Sequence, residues 1–196
     1  MKILFSGHDY KYEVEATVKL FVPSRFTFHY DITDAEGNIV MSRLKTGKEY
    51  TYLFAYCRID GKYARKAFHI PNSDADKSKC EHEICRLIYI CLQKLTGITP
   101  PWGLLTGIRP VKKMTQLMES GYDKNAAFTH LKDKYMVSDS RLELAYMTAE
   151  NQMPLLKNHD SKTISVYISI PFCPTRCSYC SFISHSMDSA KKLIPD

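Results

Sequence analysis

Apolar and polar residues follow one another along this chain in three different rhythms. Through residues 1–71 the period is close to two. Val14, Ala16, Val18 and Leu20 alternate with other residues inside Tyr12–Val22, and Phe26, Phe28 and Tyr30 line one side of Arg25–Ile32. Asp34-Ala-Glu-Gly-Asn38 is a turn signal, because Gly37 and Asn38 both tolerate positive φ. Ile39–Leu44 and Tyr50–Ile59 supply further strands, and Asp60-Gly61 folds the second of them back into Lys62–Ile70. The expectation is an antiparallel sheet of several strands with no catalytic pattern of its own.

From Ser73 to Leu95 the period becomes helical. Ile84, Leu87, Ile88, Cys91 and Leu95 fall on one stripe. Cys80 and Cys91 share a face while Cys85 points elsewhere, a spacing that matches no metal-ligand pattern and reads as buried free cysteines. Gly97 ends this helix and Pro100-Pro101 keeps the chain extended. Three shorter helical patterns follow: Val111–Glu119, stopping at Gly121; a second capped by Asp123 and reaching Tyr135; a third capped by Ser138 and reaching Leu155. Three helices in a row invite comparison with a helix-turn-helix. The second connection lacks the glycine turn and the third helix is not basic, so a bundle bridging two domains is the reading. Lys157-Asn-His-Asp-Ser161 is then a polar linker.

The third rhythm is an unbroken one. Ile164–Ile170 is apolar enough for a strand covered on both faces, and it runs straight into Pro171-Phe-Cys-Pro-Thr-Arg-Cys-Ser-Tyr-Cys-Ser-Phe182. Cys173, Cys177 and Cys180 form a C-x3-C-x2-C run in a single loop, close enough together to wrap one inorganic centre. A [4Fe–4S] cube held by three cysteines keeps one iron without a protein ligand, and chemistry can happen there. The competing reading is a structural zinc with His185, five residues past Cys180, as the fourth ligand. Zinc sites of that kind usually join two separated ligand pairs, whereas all these candidates lie within one short run.

Composition narrows the setting. Across 196 residues, 44% are hydrophobic and 24% charged, so the chain can bury a core. A net charge of +6 without any long Lys/Arg run suits an anionic small molecule and does not argue for nucleic acid. The first residues are too short an apolar run for a signal peptide, and no stretch approaches the roughly 18 apolar residues of a membrane span. Seven cysteines, an odd number with three clustered, suit a reducing compartment, hence the cytoplasm.

The cysteine spacing resembles the signature of the radical S-adenosylmethionine (SAM) superfamily. Tyr167-x-Ser-Ile-Pro-Phe-Cys173 resembles the oxygen-independent coproporphyrinogen III oxidase-like (coproporphyrinogen dehydrogenase) branch, and Leu105-Thr-Gly-Ile-Arg-Pro110 is similar to members with an extra N-terminal domain. The cluster motif covers about residues 164–187.

The resemblance implies a [4Fe–4S] cluster on Cys173, Cys177 and Cys180, with SAM chelating the fourth iron and an electron from a donor such as flavodoxin or ferredoxin cleaving it to methionine and a 5′-deoxyadenosyl radical. Tyr167 and Tyr179 match family positions that contact SAM, although either can equally be ordinary strand or loop packing. Arg176 can tune the cluster or face solvent. Arg109, Lys112 and Lys113 can meet substrate carboxylates or simply solvate a helix start. The implied reaction is oxidative decarboxylation of coproporphyrinogen III to protoporphyrinogen IX in haem synthesis.

Two positions depart from the family pattern. Ser169 stands where it has a histidine, and Phe182 where authentic dehydrogenases carry a fourth cysteine. Phe182 with Ser184-His185 is closer to haem-chaperone relatives, which keep the cluster and bind haem. The expected class is α/β. Residues 1–98 form an α+β domain with an antiparallel sheet, 99–160 a helical connection, and 161–196 the first strand and cluster loop of a radical SAM β/α barrel. Since the chain stops sixteen residues after Cys180, it is expected to carry only the opening of that barrel and to have no turnover by itself.

Overall fold

The computed structural model describes residues 1–22, 27–29, 37–105, 109–157, 164, 166–175 and 185–186. The chain divides into two units, Met1–Leu156 and Lys157–Asp196.

The first unit is built on a sheet. β1 (Lys2–Ser6) buries Ile3, Leu4 and Phe5 and leads through Gly7 into α1 (Lys11–Lys19). This corrects the alternating reading of Tyr12–Val22, which made it a strand. Tyr10, Val14, Thr17, Val18 and Phe21 are the buried positions, and their spacing is that of a helix, whereas Ala16 and Leu20 are only half-buried. Glu, Ala and Lys between them favour helix, and Glu15 pairs with Lys19 one turn on at 2.6 Å.

With a helix in that place the next strand returns parallel. β2 (Thr27–His29) pairs parallel with β1, and so does β3 (Ile39–Thr46) on its other side. β4 (Tyr50–Ile59) and β5 (Lys62–Pro71) then add antiparallel hairpin strands, giving the order β2-β1-β3-β4-β5. The sheet is therefore mixed, not antiparallel throughout.

Asn72 ties the β3–β4 turn to the end of β5. Its amide nitrogen donates to the Gly47 and Lys48 carbonyls at 3.0 and 3.1 Å, while Thr51 Oγ1 donates to its Oδ1 at 2.9 Å. That use of residues 72–74, a short 3-10 turn, delays the helix expected from Ser73. α2 (Lys77–Thr96) starts after Asp76, whose carboxylate accepts from Lys79 N at 2.8 Å, and ends at Gly97, left-handed at φ +71.

α2 lays Ile84, Leu87, Ile88, Cys91 and Leu92 against the Leu53, Ala55 and Cys57 face of β4, all buried. Cys80, Cys85 and Cys91 are free and buried, as the sequence suggests, and so is Cys57 on β4. Cys85 is not off the packed face, however: it is covered from the α1 side by Thr17, and burial pushes its thiol up to about 12. Such thiols are inert at neutral pH.

After α2 the chain turns instead of staying extended at Pro100-Pro101. Gly103 N donates to the Pro100 carbonyl at 2.9 Å, Leu104 N to the Tyr135 carbonyl at 2.8 Å, and Ser138 N to the Pro101 carbonyl at 3.0 Å. A Cβ on Gly103 would stand 1.9 Å from the Tyr135 oxygen, so only glycine lets this turn sit against the next helices. α3 (Pro110–Glu119), α4 (Lys124–Tyr135) and α5 (Asp139–Lys157) enclose a small core of Met114, Ala127, Leu131, Leu142 and Ala145. Asp123 caps α4 by accepting from Ala126 N at 2.7 Å, as its sequence position predicts. Among the described residues no helix is long and apolar enough to cross a membrane.

Candidate metal centre

In the second unit the described part of 164–170 is not paired as a strand. Ile164, Val166, Tyr167, Ile168 and Ile170 are between 78% and 87% exposed, against the expectation of a strand covered on both faces. A central parallel strand exists only between neighbours that hydrogen-bond it and helices that cover it, and the described residues supply neither. Tyr167, a predicted SAM contact, is thus a solvent-facing ring here.

The pairing begins at the first cysteine. β6 (Phe172–Cys173) runs parallel to β7 (His185–Ser186), with Phe172 opposite His185 and Cys173 opposite Ser186. His185 N donates to the Pro171 carbonyl at 2.8 Å, and the Phe172 and His185 rings lie 6.4 Å apart. These bonds set Pro171–Cys173 beside His185–Ser186.

Successive strand residues point to opposite faces. His185 shares the Phe172 side, which puts it on the face opposite Cys173. Cys173 itself is a free, half-buried thiol. Cys177, Tyr179 and Cys180, together with Arg176 and Phe182, lie outside the described residues. Among the described residues no three His, Cys, Asp or Glu side chains gather as a metal site. The basic residues at the start of α3 separate into an exposed Arg109 and Lys112 and a half-buried Lys113.

One feature of the first unit escaped the sequence reading. A groove of about 730 Å³ between α2 and α4 is lined by Lys79, His82, Glu83, Arg86, His130 and Asp133 among others. His82 Nε2 meets the Lys134 carbonyl at 3.0 Å, and burial holds its imidazole below the usual histidine range. The groove carries both signs of charge and pairs Arg86 with Glu83 internally at 3.4 Å, while Lys79 pairs with Asp74 outside it at 3.5 Å. Such a lining favours no ligand class. Its members run from Asp76 to Tyr135 in the chain, so only the packing of α4 beside α2 brings them together.

No family model matches the chain. Over 98 residues, 49% of its length, it is 39% identical to the oxygen-independent coproporphyrinogen-III oxidase-like protein HemZ of Bacillus subtilis (strain 168). It is similar to a coproporphyrinogen-III oxidase-like protein over half its length. The chain spans about a fifth of the length of this curated relative, 20% of it being covered. Among solved structures, TolB from Acinetobacter baumannii superposes over 52% of this chain and 29% of its own, with a TM-score of 0.31 and 17% identity. A superposition that loose carries no argument about the fold.

Proposed function

We propose that this chain is the N-terminal part of a radical SAM protein of the oxygen-independent coproporphyrinogen III oxidase-like family. Cys173, Cys177 and Cys180 hold a [4Fe–4S] cluster, and Tyr167 and Tyr179 contact SAM. The observation that carries the reading is the C-x3-C-x2-C run after an apolar segment, in a chain similar to HemZ. The donor set fits the group: three thiols lie within eight residues, and the one described is free and half-buried in the β6–β7 pair. When bound, the cluster and SAM supply a one-electron cleavage that yields a hydrogen-abstracting radical.

The chain's own residues do the holding. Pro171 and His185 fix the loop ends through their backbone bond, Cys173 faces away from His185, and Phe172 packs on the His185 ring. The substrate proposed is coproporphyrinogen III, decarboxylated to protoporphyrinogen IX in the cytoplasm with flavodoxin or ferredoxin as donor. Ser169 and Phe182 favour a second reading, a haem-binding chaperone on the same scaffold.

The test begins with anaerobic reconstitution of the chain with iron and sulfide. The expected product is brown, carries about four irons per chain, and loses them with Cys177→Ala. A colourless chain holding one zinc would overturn the cluster assignment. In a chain extended to the length of HemZ, SAM cleavage coupled to coproporphyrinogen loss separates the oxidase from the chaperone, which binds haem and leaves coproporphyrinogen unchanged.

A further inference from the structure

The sheet of the first unit has two unlike faces. One is packed under α2. On the other, the pairing of β3, β4 and β5 sets side chains into rows across three strands. Lys45, Tyr52 and His69 make one row; Arg43, Phe54 and Ala67 make the next. Met41, Tyr56 and Arg65 make the third, and Arg58 with Tyr63 continue the pattern in a fourth, whose β3 member Ile39 is buried. Each of these four rows holds one strong cation beside at least one aromatic ring and no carboxylate; beyond Tyr52 the face ends in Tyr50 opposite Pro71, a ring without a cation.

Tyr52 is 52% and Tyr63 64% exposed, Arg43, Lys45 and Arg65 are exposed, and Phe54 and Tyr56 are half-buried between them. Tyr56 and Tyr63 stack at 6.0 Å. Arg58 also donates to the Gly37 carbonyl at 3.0 Å, which anchors that end of the array.

An ordinary solvated sheet face mixes charges of both signs. This one offers a repeat of one ring and one positive charge. Rows on one face recur every two residues, roughly 6.7 Å apart. That is about twice the 3.4 Å per nucleotide of a stacked strand, a spacing that suits bases splayed onto separate rings with a phosphate beside each. A lone anionic disc would need one such row. A polymer with one base and one phosphate per unit uses them all.

We propose that the exposed face of β3, β4 and β5 binds single-stranded nucleic acid, stacking bases on Tyr52, Phe54 and Tyr56 while Lys45, Arg43 and Arg65 meet the phosphates. Aromatic sheet platforms flanked by cations recognise single strands in this way and read little sequence. The absence of a Lys/Arg run in the sequence is no obstacle, since the cations come from three strands.

The experiment is a fluorescence-anisotropy titration of the 196-residue chain with labelled dodecamers of uridine and of thymidine, at 50 and at 200 mM salt. Binding should weaken roughly fifteen-fold over that range, the slope expected for about three phosphate contacts. Tyr52→Ala should weaken it about tenfold by removing one stacking ring. Arg43→Glu with Arg65→Glu should reduce it at least as much. All three positions are exposed, so circular dichroism and the melting curve should be unchanged.

Failure to saturate with either dodecamer at 50 mM salt would overturn the proposal. So would equal affinity for a blunt duplex together with indifference to Tyr52→Ala, which would leave only diffuse charge attraction. Displacement of the dodecamer by polyglutamate at matched charge would assign the face to an acidic protein instead.

Discussion

β4 and residues 164–170 are written in much the same alphabet, aromatic and β-branched or aliphatic residues with few charges, and they end in opposite conditions. In β4 the side chains of Leu53, Ala55 and Cys57 are at most 1% exposed, held between β3 and β5 and beneath α2. Ile164, Ile168 and Ile170 are at least 79% exposed. The difference lies in the neighbours. β-propensity describes how well a residue fits a paired, half-covered surface, and it builds nothing where that surface is missing. The unit with a core of its own thus carries the sheet, while 164–170 has no such neighbours among the described residues.

The largest effect should come from truncating one residue in each. Leu53→Ala removes a fully buried side chain from beneath α2 and should cost about 3 kcal/mol. Ile168→Ala in the same chain should stay within about 0.5 kcal/mol. Urea unfolding of the two variants measures both. An Ile168→Ala cost near that of Leu53→Ala would mean that 164–170 is buried in solution and would dissolve the contrast.

A smaller effect sharpens the same point inside the first unit, where even one methyl has to find room. Gly97 and Gly103 are both left-handed, at φ +71 and +55. A Cβ on Gly97 meets nothing within 4 Å, while on Gly103 it would meet the Tyr135 oxygen at 1.9 Å and the Met136 carbonyl at 2.6 Å. Gly97→Ala should therefore cost only the left-handed penalty, about 1 kcal/mol. Gly103→Ala should cost about 2 kcal/mol more, since backbone must move. Equal melting temperatures for the two variants would show that the 101–105 turn is not seated against α4.

What the sequence discloses follows the distance over which each feature is encoded. The thiol run of Cys173, Cys177 and Cys180 is legible because spacing within one loop is the whole signal. The caps at Asp76, Gly97 and Asp123 are local too, although Asp76 was passed over for a helix start at Ser73 because nothing nearby reveals that Asn72 is bonded back to Gly47. α1 was misread because Val14 and Val18 satisfy both a two-residue and a four-residue period. Tyr10, outside the alternating window, and Phe21, inside it but out of step with the alternation, decide for the helix. A strand in the place of α1 would hide the parallel pairing of β1 with β2 and β3, which needs a helical crossover. The rows on the outer face could not be read at all, since Lys45, Tyr52 and His69 become neighbours only through the β3–β4 and β4–β5 registers.

The smallest expected effect is a titration confined to the first unit. Burial holds the imidazoles of His8 and His82 below the usual value of 6.5, against the opposing pull of the Ser42 and Lys134 backbones and of Asp9 and Glu83; Lys134 and Arg86 push His82 further down. When the pH falls through 6.5, the unfolded chain takes up these protons before the folded chain does. Stability tied to the neutral rings is therefore full above 6.5 and is lost as the pH falls toward their folded values. His82→Gln keeps an amide able to donate to the Lys134 carbonyl and cannot titrate. Its urea midpoint should fall less than that of the unsubstituted chain between pH 7.5 and 5.5, with His8 and the carboxylates common to both. The same shift in both chains would mean that His82 is open to water, and that the α2–α4 packing over it is looser than its 3.0 Å bond to Lys134 implies.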